Sequence, residues 1–111
     1  MPGIAFALPV QHGKEELDRQ MLEEMSGARR DDYEAALRDA GITRHAVWHQ
    51  ETPDGTIAVV YMEADDEAGV AKFGSSDAPF NRWFRDQMKE VHGIDISQSG
   101  PPPRKVHDEQ L

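Results

Sequence analysis

Two apolar segments, residues 42–50 and 56–63, face each other across Thr52-Pro53-Asp54-Gly55, and that hairpin constrains the chain more than any other feature. Proline at the second turn position, aspartate at the third and a glycine free to adopt a left-handed backbone fit a type I turn closed by a glycine bulge. Such a turn sets the register. Thr52 lies opposite Thr56 and, counting back, His49 opposite Val59, Val47 opposite Tyr61 and His45 opposite Glu63. Paired residues share a face, so the other face carries Arg44, Ala46 and Trp48 beside Ala58, Val60 and Met62. Neither face is polar. A sheet wetted on one side alternates apolar with polar residues, so both faces of this hairpin call for a cover.

The flanking sequence supplies one cover. Ile4, Phe6, Leu8 and Val10 alternate with Ala5, Ala7 and Pro9, the period of a strand. From Gly13 the period becomes helical: Leu17, Met21, Leu22 and Met25 form a stripe behind the first-turn anions Glu15, Glu16 and Asp18. Ser26-Gly27 interrupts that helix. Asp31 and Glu34 have capping-box spacing, and Tyr33, Ala36, Leu37 and Ala40 continue to a capping Gly41. After the hairpin, Asp65 or Asp66 starts a short helix through Phe73. A second helix follows Asp77 and Pro79, with Phe80, Trp83, Phe84, Met88 and Val91 on one stripe and Gly93 at its end. The order predicts an α+β chain of ferredoxin-like βαββαβ type, an antiparallel sheet with helices on one side. Residues 1–98 form the domain. Residues 99–111, with Gly100-Pro101-Pro102-Pro103, form a tail suited to an edge strand or a dimer arm. The economical cover for the second sheet face is the same face of another copy, which predicts a homodimer through sheet faces.

Charge and composition narrow the partners. The 111 residues include 12 basic and 21 acidic ones, a net charge of -9, which opposes binding to nucleic acid or anionic lipid. No apolar run approaches the roughly 18 residues of a membrane span, and the N-terminus lacks the charged and long apolar stretches of a signal peptide. The absence of cysteine excludes disulfides, thiolate metal sites and thiol nucleophiles, and the plain expectation is a cytoplasmic protein.

Several phrases resemble a known family. The run from Tyr33 to Gly41, then His45-Ala46-Val47-Trp48, Val60-Tyr61-Met62-Glu63, Ser75-Ser76-Asp77 and Arg82-Trp83-Phe84 is similar to L-rhamnose mutarotases of the dimeric α/β-barrel superfamily. The phrases 41–52 and 80–95 and the proline-rich tail resemble a bacterial family of that superfamily without an assigned function. The resemblance implies a ferredoxin-like fold and a dimer, a dimeric α/β barrel, and an aromatic at Trp48, an acid at Glu63 and the pair Trp83-Phe84 about a site. Mutarotases carry a catalytic histidine in the helix after the first strand, where residues 17–25 here hold neither histidine nor tyrosine.

Among the residues themselves, His45 with Glu63 and Tyr61 is the sharpest constellation. In the bulged register the carboxylate lies across from the imidazole, with Cβ atoms roughly 5 Å apart, and orients it as a general acid/base. Tyr61 is then placed to donate to a ligand oxygen. The same arrangement also describes an ordinary cross-strand ion pair. His45 and His49 share a face but sit about 13 Å apart, too far to chelate one metal ion. His92 reads as a cation beside a helix C-terminus. Asn81 and Arg82, in the first turns of their helix, suit an anion or a hydroxyl-rich molecule. The acidic stretch 51–67 lacks the alternation of a calcium loop and reads as a solvated rim.

Two functions stay open on this reading. The first is a small cofactor-independent enzyme, an isomerase or monooxygenase acting on a small organic molecule between sheet and helices. His45 serves it as acid/base and Glu63 as orienter, with Trp48, Tyr61, Asn81, Arg82 and Trp83 binding the ligand and no metal or cofactor. The second is a noncatalytic dimeric binding or interaction domain using the same cleft.

Overall fold

A computed structural model describes residues 3–98 and 102–111. Strand β1 (Gly3–Pro9) leads to helices α1 (Glu15–Ser26) and α2 (Arg30–Ala40). Strands β2 (Ile42–Thr52) and β3 (Gly55–Ala64) form the hairpin, and helices α3 (Gly69–Ser75) and α4 (Pro79–His92) and a 3-10 turn (Ile96–Gln98) complete the fold. The sheet is antiparallel in the order β1-β3-β2, so β3 is paired on both edges.

The helices cover one face. Val60, Met62 and Ala64 of β3 are buried with Met21 and Met25 of α1, Ala36 and Ala40 of α2, Phe73 of α3 and Phe80, Phe84 and Met88 of α4. Edge-to-face packing of Phe73 on Phe84, with centroids 5.1 Å apart, ties α3 to α4. Burying these side chains is the main source of stability, at about 25 cal/mol for each Å² of apolar surface removed from water. The period-two pattern of β1 is read out as expected: Ile4, Phe6 and Leu8 are half-buried and Ala5, Ala7 and Pro9 exposed. Gly41 and Gly93 end α2 and α4 with φ of 71° and 70°, a left-handed backbone that favours glycine. The capping box expected of Asp31 and Glu34 is not formed. Helix α2 starts at Arg30 after an Arg29 that makes no side-chain cap, and Glu34 instead bonds Arg30 and Arg38 at 3.1 and 3.2 Å.

The hairpin register differs from the expected one by a residue. Thr52 pairs with Gly55 across the two-residue loop Pro53-Asp54, and Thr52 Oγ1 donates to the Gly55 carbonyl at 2.7 Å and accepts from the Asp54 amide at 3.2 Å. The turn therefore closes without a bulge. The extra residue sits at the other end of β2, where Ile42 pairs with Ala64 and Arg44 with Glu63, leaving Thr43 unpaired. That bulge turns Ile42 into the core, 5% exposed, while Arg44 faces out. Consequently His45 lies opposite Met62, Val47 opposite Val60 and His49 opposite Ala58 on the helix side. Ala46, Trp48, Val59 and Tyr61 lie on the other side. Ala58, Val60, Met62 and Ala64 share the helix-covered face of β3 in either register; the slip is favourable because it sets His45, Val47 and His49 beside them and leaves Arg44 and Trp48 outside.

Among the described residues no fourth strand forms. The chain leaves α4 through the 3-10 turn, and residues 102–111 run exposed without regular structure. Gly100 and Pro101 of the proline-rich stretch lie outside the described residues.

Candidate active site

A cavity of about 750 Å³ lies between the helix-covered face of the sheet and the helices. Its walls are mostly apolar: Phe6 and Leu8 of β1, Val60 and Met62 of β3, Phe84 and Met88 of α4. Alternation along the strands and the helical stripes bring these side chains together, and their size leaves the centre unfilled. Pro102 and Pro103 reach its edge. A smaller cavity of about 220 Å³ shares Leu22, His45 and Val47 with the larger one.

Apart from Glu67, Ser75 and Ser97, polar groups enter the wall at two places. The first is His45, aimed inward by the register of β2. Its Nδ1 lies 2.7 Å from the Tyr33 hydroxyl of α2, and the ring contacts Phe73 at a centroid distance of 6.4 Å. Burial disfavours both charged forms: the Tyr33 phenol is pushed up to about 12 and the His45 imidazole is lowered to about 4. Both are neutral near pH 7. With the phenol O–H donating to Nδ1, the imidazole proton resides on Nε2; with the other tautomer Nδ1–H donates to the phenol oxygen.

The second polar place is Asp18, 1% exposed, with His49 and His92. Helix α1 carries Asp18 on the same stripe as Met21, Leu22 and Met25, which faces the sheet. His49 Nε2 donates to Asp18 Oδ2 at 2.6 Å. His92, at the C-terminal end of α4 and 5% exposed, donates from Nδ1 to the Pro9 carbonyl at 2.8 Å, and its Nε2 lies 3.8 Å from Asp18 Oδ1. Asp18 and His92 line the cavity. Among the described residues no three histidine, aspartate or glutamate side chains are grouped to hold a metal ion.

The expected site residues are dispersed. His45 faces the cavity, but Glu63 does not face His45; the bulge at Thr43 puts Glu63 on the opposite side of the sheet, 4.0 Å from Arg44. The His45–Glu63 dyad is therefore replaced by His45–Tyr33. Trp48, 54% exposed, and Tyr61 lie on the outer face with Val59 and Ala46, and the Tyr61 ring passes over Gly3. Asn81 is buried and donates to the Phe73 carbonyl at 2.8 Å, which joins α3 to α4. Arg82 is exposed, and Trp83 packs on Phe80 with the Arg29 guanidinium 4.0 Å above its ring. His92 stands at the C-terminal end of α4 as expected, but buried and bonded across the fold to the Pro9 carbonyl. On sequence alone Tyr33 and Asp18 are given no chemistry and His49 is weighed only as a metal ligand, although a carboxylate at helical spacing with three apolar residues is a mark of burial for Asp18.

No protein-family model and no curated protein sequence matches the chain. No helix among the described residues is long and apolar enough to cross a membrane. A solved structure, an L-rhamnose mutarotase from Formosa agariphila, is similar over 99% of this chain and 100% of its own, with a TM-score of 0.67 and 12% sequence identity. The chain thus has the ferredoxin-like α+β fold of an L-rhamnose mutarotase.

Proposed function

We propose that the protein binds a small organic molecule in the sheet–helix cavity and isomerises it by proton transfer, as a mutarotase-like enzyme, with His45 as the acid/base group. The observation that carries this reading is the cavity of about 750 Å³ with a neutral, Tyr33-bonded imidazole in its wall. A neutral imidazole whose Nδ1 is occupied presents Nε2–H to a ligand oxygen and stabilises the negative charge that builds there. Opening of a cyclic hemiacetal needs a donor on the ring oxygen and an acceptor for the hydroxyl proton. Nε2–H of His45 passes to the ring oxygen while a water in the cavity relays the hydroxyl proton back to the same nitrogen, so that the imidazole ends as it began and reclosure reverses the exchange; no cofactor takes part. Tyr33 is the positioning residue that holds the productive tautomer. The fold shared with an L-rhamnose mutarotase supports the reaction class.

The working unit is a homodimer joined through the outer sheet faces. Ala5, Ala7, Ala46, Trp48, Val59 and Tyr61 make that face apolar, and a second copy would cover it. The -9 charge favours a small-molecule partner in the cytoplasm over nucleic acid or a membrane.

The reading is tested with a thermal-shift panel of deoxy sugars, hydroxy ketones and aromatic metabolites, followed by NMR of each stabilising compound for conversion. Conversion that falls roughly 10²–10⁴-fold in His45→Gln supports the enzyme. A compound that binds and is recovered unchanged selects the noncatalytic binding domain instead.

A further inference from the structure

The wall of the cavity sets what can be held in it. Phe73 and Phe84, packed edge to face, stand there with the thioethers of Met21, Met62 and Met88, surfaces that suit the faces and edges of aromatic rings. The volume of about 750 Å³ lies in the range of roughly 300–1,000 Å³ found for drug-sized ligands. Polar side chains are few in this wall, and most are engaged within the chain. Asp18 is held by His49 at 2.6 Å, His92 Nδ1 lies 2.8 Å from the Pro9 carbonyl, and the Ser75 and Ser97 hydroxyls donate to the Ala71 carbonyl and to Asp95 at 2.9 and 2.6 Å. Glu67 is exposed to solvent. His45 differs from these. Its Nδ1 is bonded to Tyr33, while its Nε2 has no partner within the chain; among the described residues no sealed-off side-chain nitrogen or oxygen lacks a partner, so Nε2 opens to the two cavities that meet at His45. A free sugar carries a hydroxyl on nearly every carbon, and most of these would lie against phenyl and thioether groups, stripped of water and unpaired. A body made mostly of carbon avoids that cost and gains from burial. One hydroxyl or carbonyl oxygen is enough for His45, and a hydroxyl, which both donates and accepts, fits either tautomer of the ring.

From this wall we infer that the ligand of the cavity is an aromatic compound of fused rings bearing a hydroxyl or carbonyl oxygen, seated with its rings against the phenylalanines and methionines and its oxygen at His45 Nε2, and that free sugars are excluded. The inference rests on the cavity being the ligand site and names the body that carries the reacting group: a cyclic hemiacetal isomerised here is fused to an apolar ring system. Flat rings fill the space between sheet and helices without the loss of rotational freedom that a flexible chain suffers on binding.

Equilibrium dialysis of 2-naphthol, naphthalene, octan-1-ol and L-rhamnose against the wild-type protein and against His45→Phe at pH 7 separates the outcomes. 2-Naphthol is expected to bind the wild type about 5-fold more tightly than naphthalene, for the one hydrogen bond it adds, and more tightly than octan-1-ol. L-Rhamnose is expected to bind at least about 100-fold more weakly than 2-naphthol. His45→Phe is expected to keep both ring compounds and to lose the preference between them. L-Rhamnose bound as tightly as 2-naphthol overturns the ligand class and leaves the cavity reading standing, and octan-1-ol bound as tightly overturns the fused rings. No binding by any probe overturns both the ligand class and the cavity reading. A second measurement needs no variant. In nitrogen-15 spectra of the wild-type histidine rings, 2-naphthol is expected to shift His45 Nε2 and naphthalene to leave it in place; an Nε2 signal unmoved by saturating 2-naphthol overturns the placing of the oxygen.

Discussion

His45 and Asp18 show how one position acquires its character from distant partners. The imidazole is held neutral by burial, and the consequence is measurable. In the unfolded chain His45 takes up a proton below about 6.5, in the folded protein only below about 4. Across that window the unfolded state binds more protons, so the neutral ring's full contribution is present above pH 6.5 and is lost as the pH falls toward 4. Urea titrations are expected to show the wild type losing on the order of 2 kcal/mol more stability over that interval than His45→Gln. Equal losses would mean that the ring is not held neutral. Asp18 should be the costlier position at neutral pH. Asp18→Ala leaves His49 and His92 facing a void and is expected to cost about 3 kcal/mol in chemical denaturation, against less than about 0.5 kcal/mol for the exposed Asp39→Ala. Little of this was legible. Asp18 satisfies two local patterns at once, an anion in a first helical turn and a member of an apolar stripe, and its partner His49 is 31 residues away. His92 likewise sits where a cation suits a helix dipole, and only the return of β1 beneath α4 brings the Pro9 carbonyl to it.

Secondary elements were far more legible, because their signals are local. The alternation of β1, the stripe of α4 and the glycines at 41 and 93 act within a few residues and appear where expected. The hairpin register did not follow, for a physical reason: β2 keeps its own alternation whether the extra residue lies at Gly55 or at Thr43, and only packing under the helices distinguishes the two. One residue of register separated His45 from Glu63 and with it changed the composition of the site. Helix α3 offers a test of the packing that decides such matters. A Cβ on Gly69 would lie 2.6 Å from the Ala40 carbonyl oxygen and 3.1 Å from Ala64 Cβ, so α3 would have to move off the sheet. Gly69→Ala is expected to cost about 2 kcal/mol. Gly74→Ala, whose Cβ would meet Ile96 at an ordinary 3.6 Å, should change stability by no more than about 1 kcal/mol. Similar effects of the two in thermal denaturation would contradict the close packing of α3 on β3.

At the scale of the whole molecule, the chain exposes 7519 Å², more than the roughly 6,200 Å² that surface scaling gives a compact monomer of 12.5 kDa. The outer sheet face and the extended tail account for the direction of that excess. The corrected register leaves the outer face as apolar as the expected one did, since Ala46 and Trp48 now sit with Val59 and Tyr61. Sedimentation equilibrium is expected to find a species of twice 12.5 kDa at micromolar concentration, and Trp48→Glu to halve it. A concentration-independent 12.5 kDa wild type would contradict the dimer. The cavity on the other face is the centre of the functional reading, and three methionines, Met21, Met62 and Met88, stand in its wall. With carbon-13 in the methionine methyl groups, titration of the compound that most raises the melting temperature is expected to shift these three signals together, at concentrations that match the stabilisation. Three unmoved signals under saturating ligand would place binding elsewhere and contradict the cavity as the site.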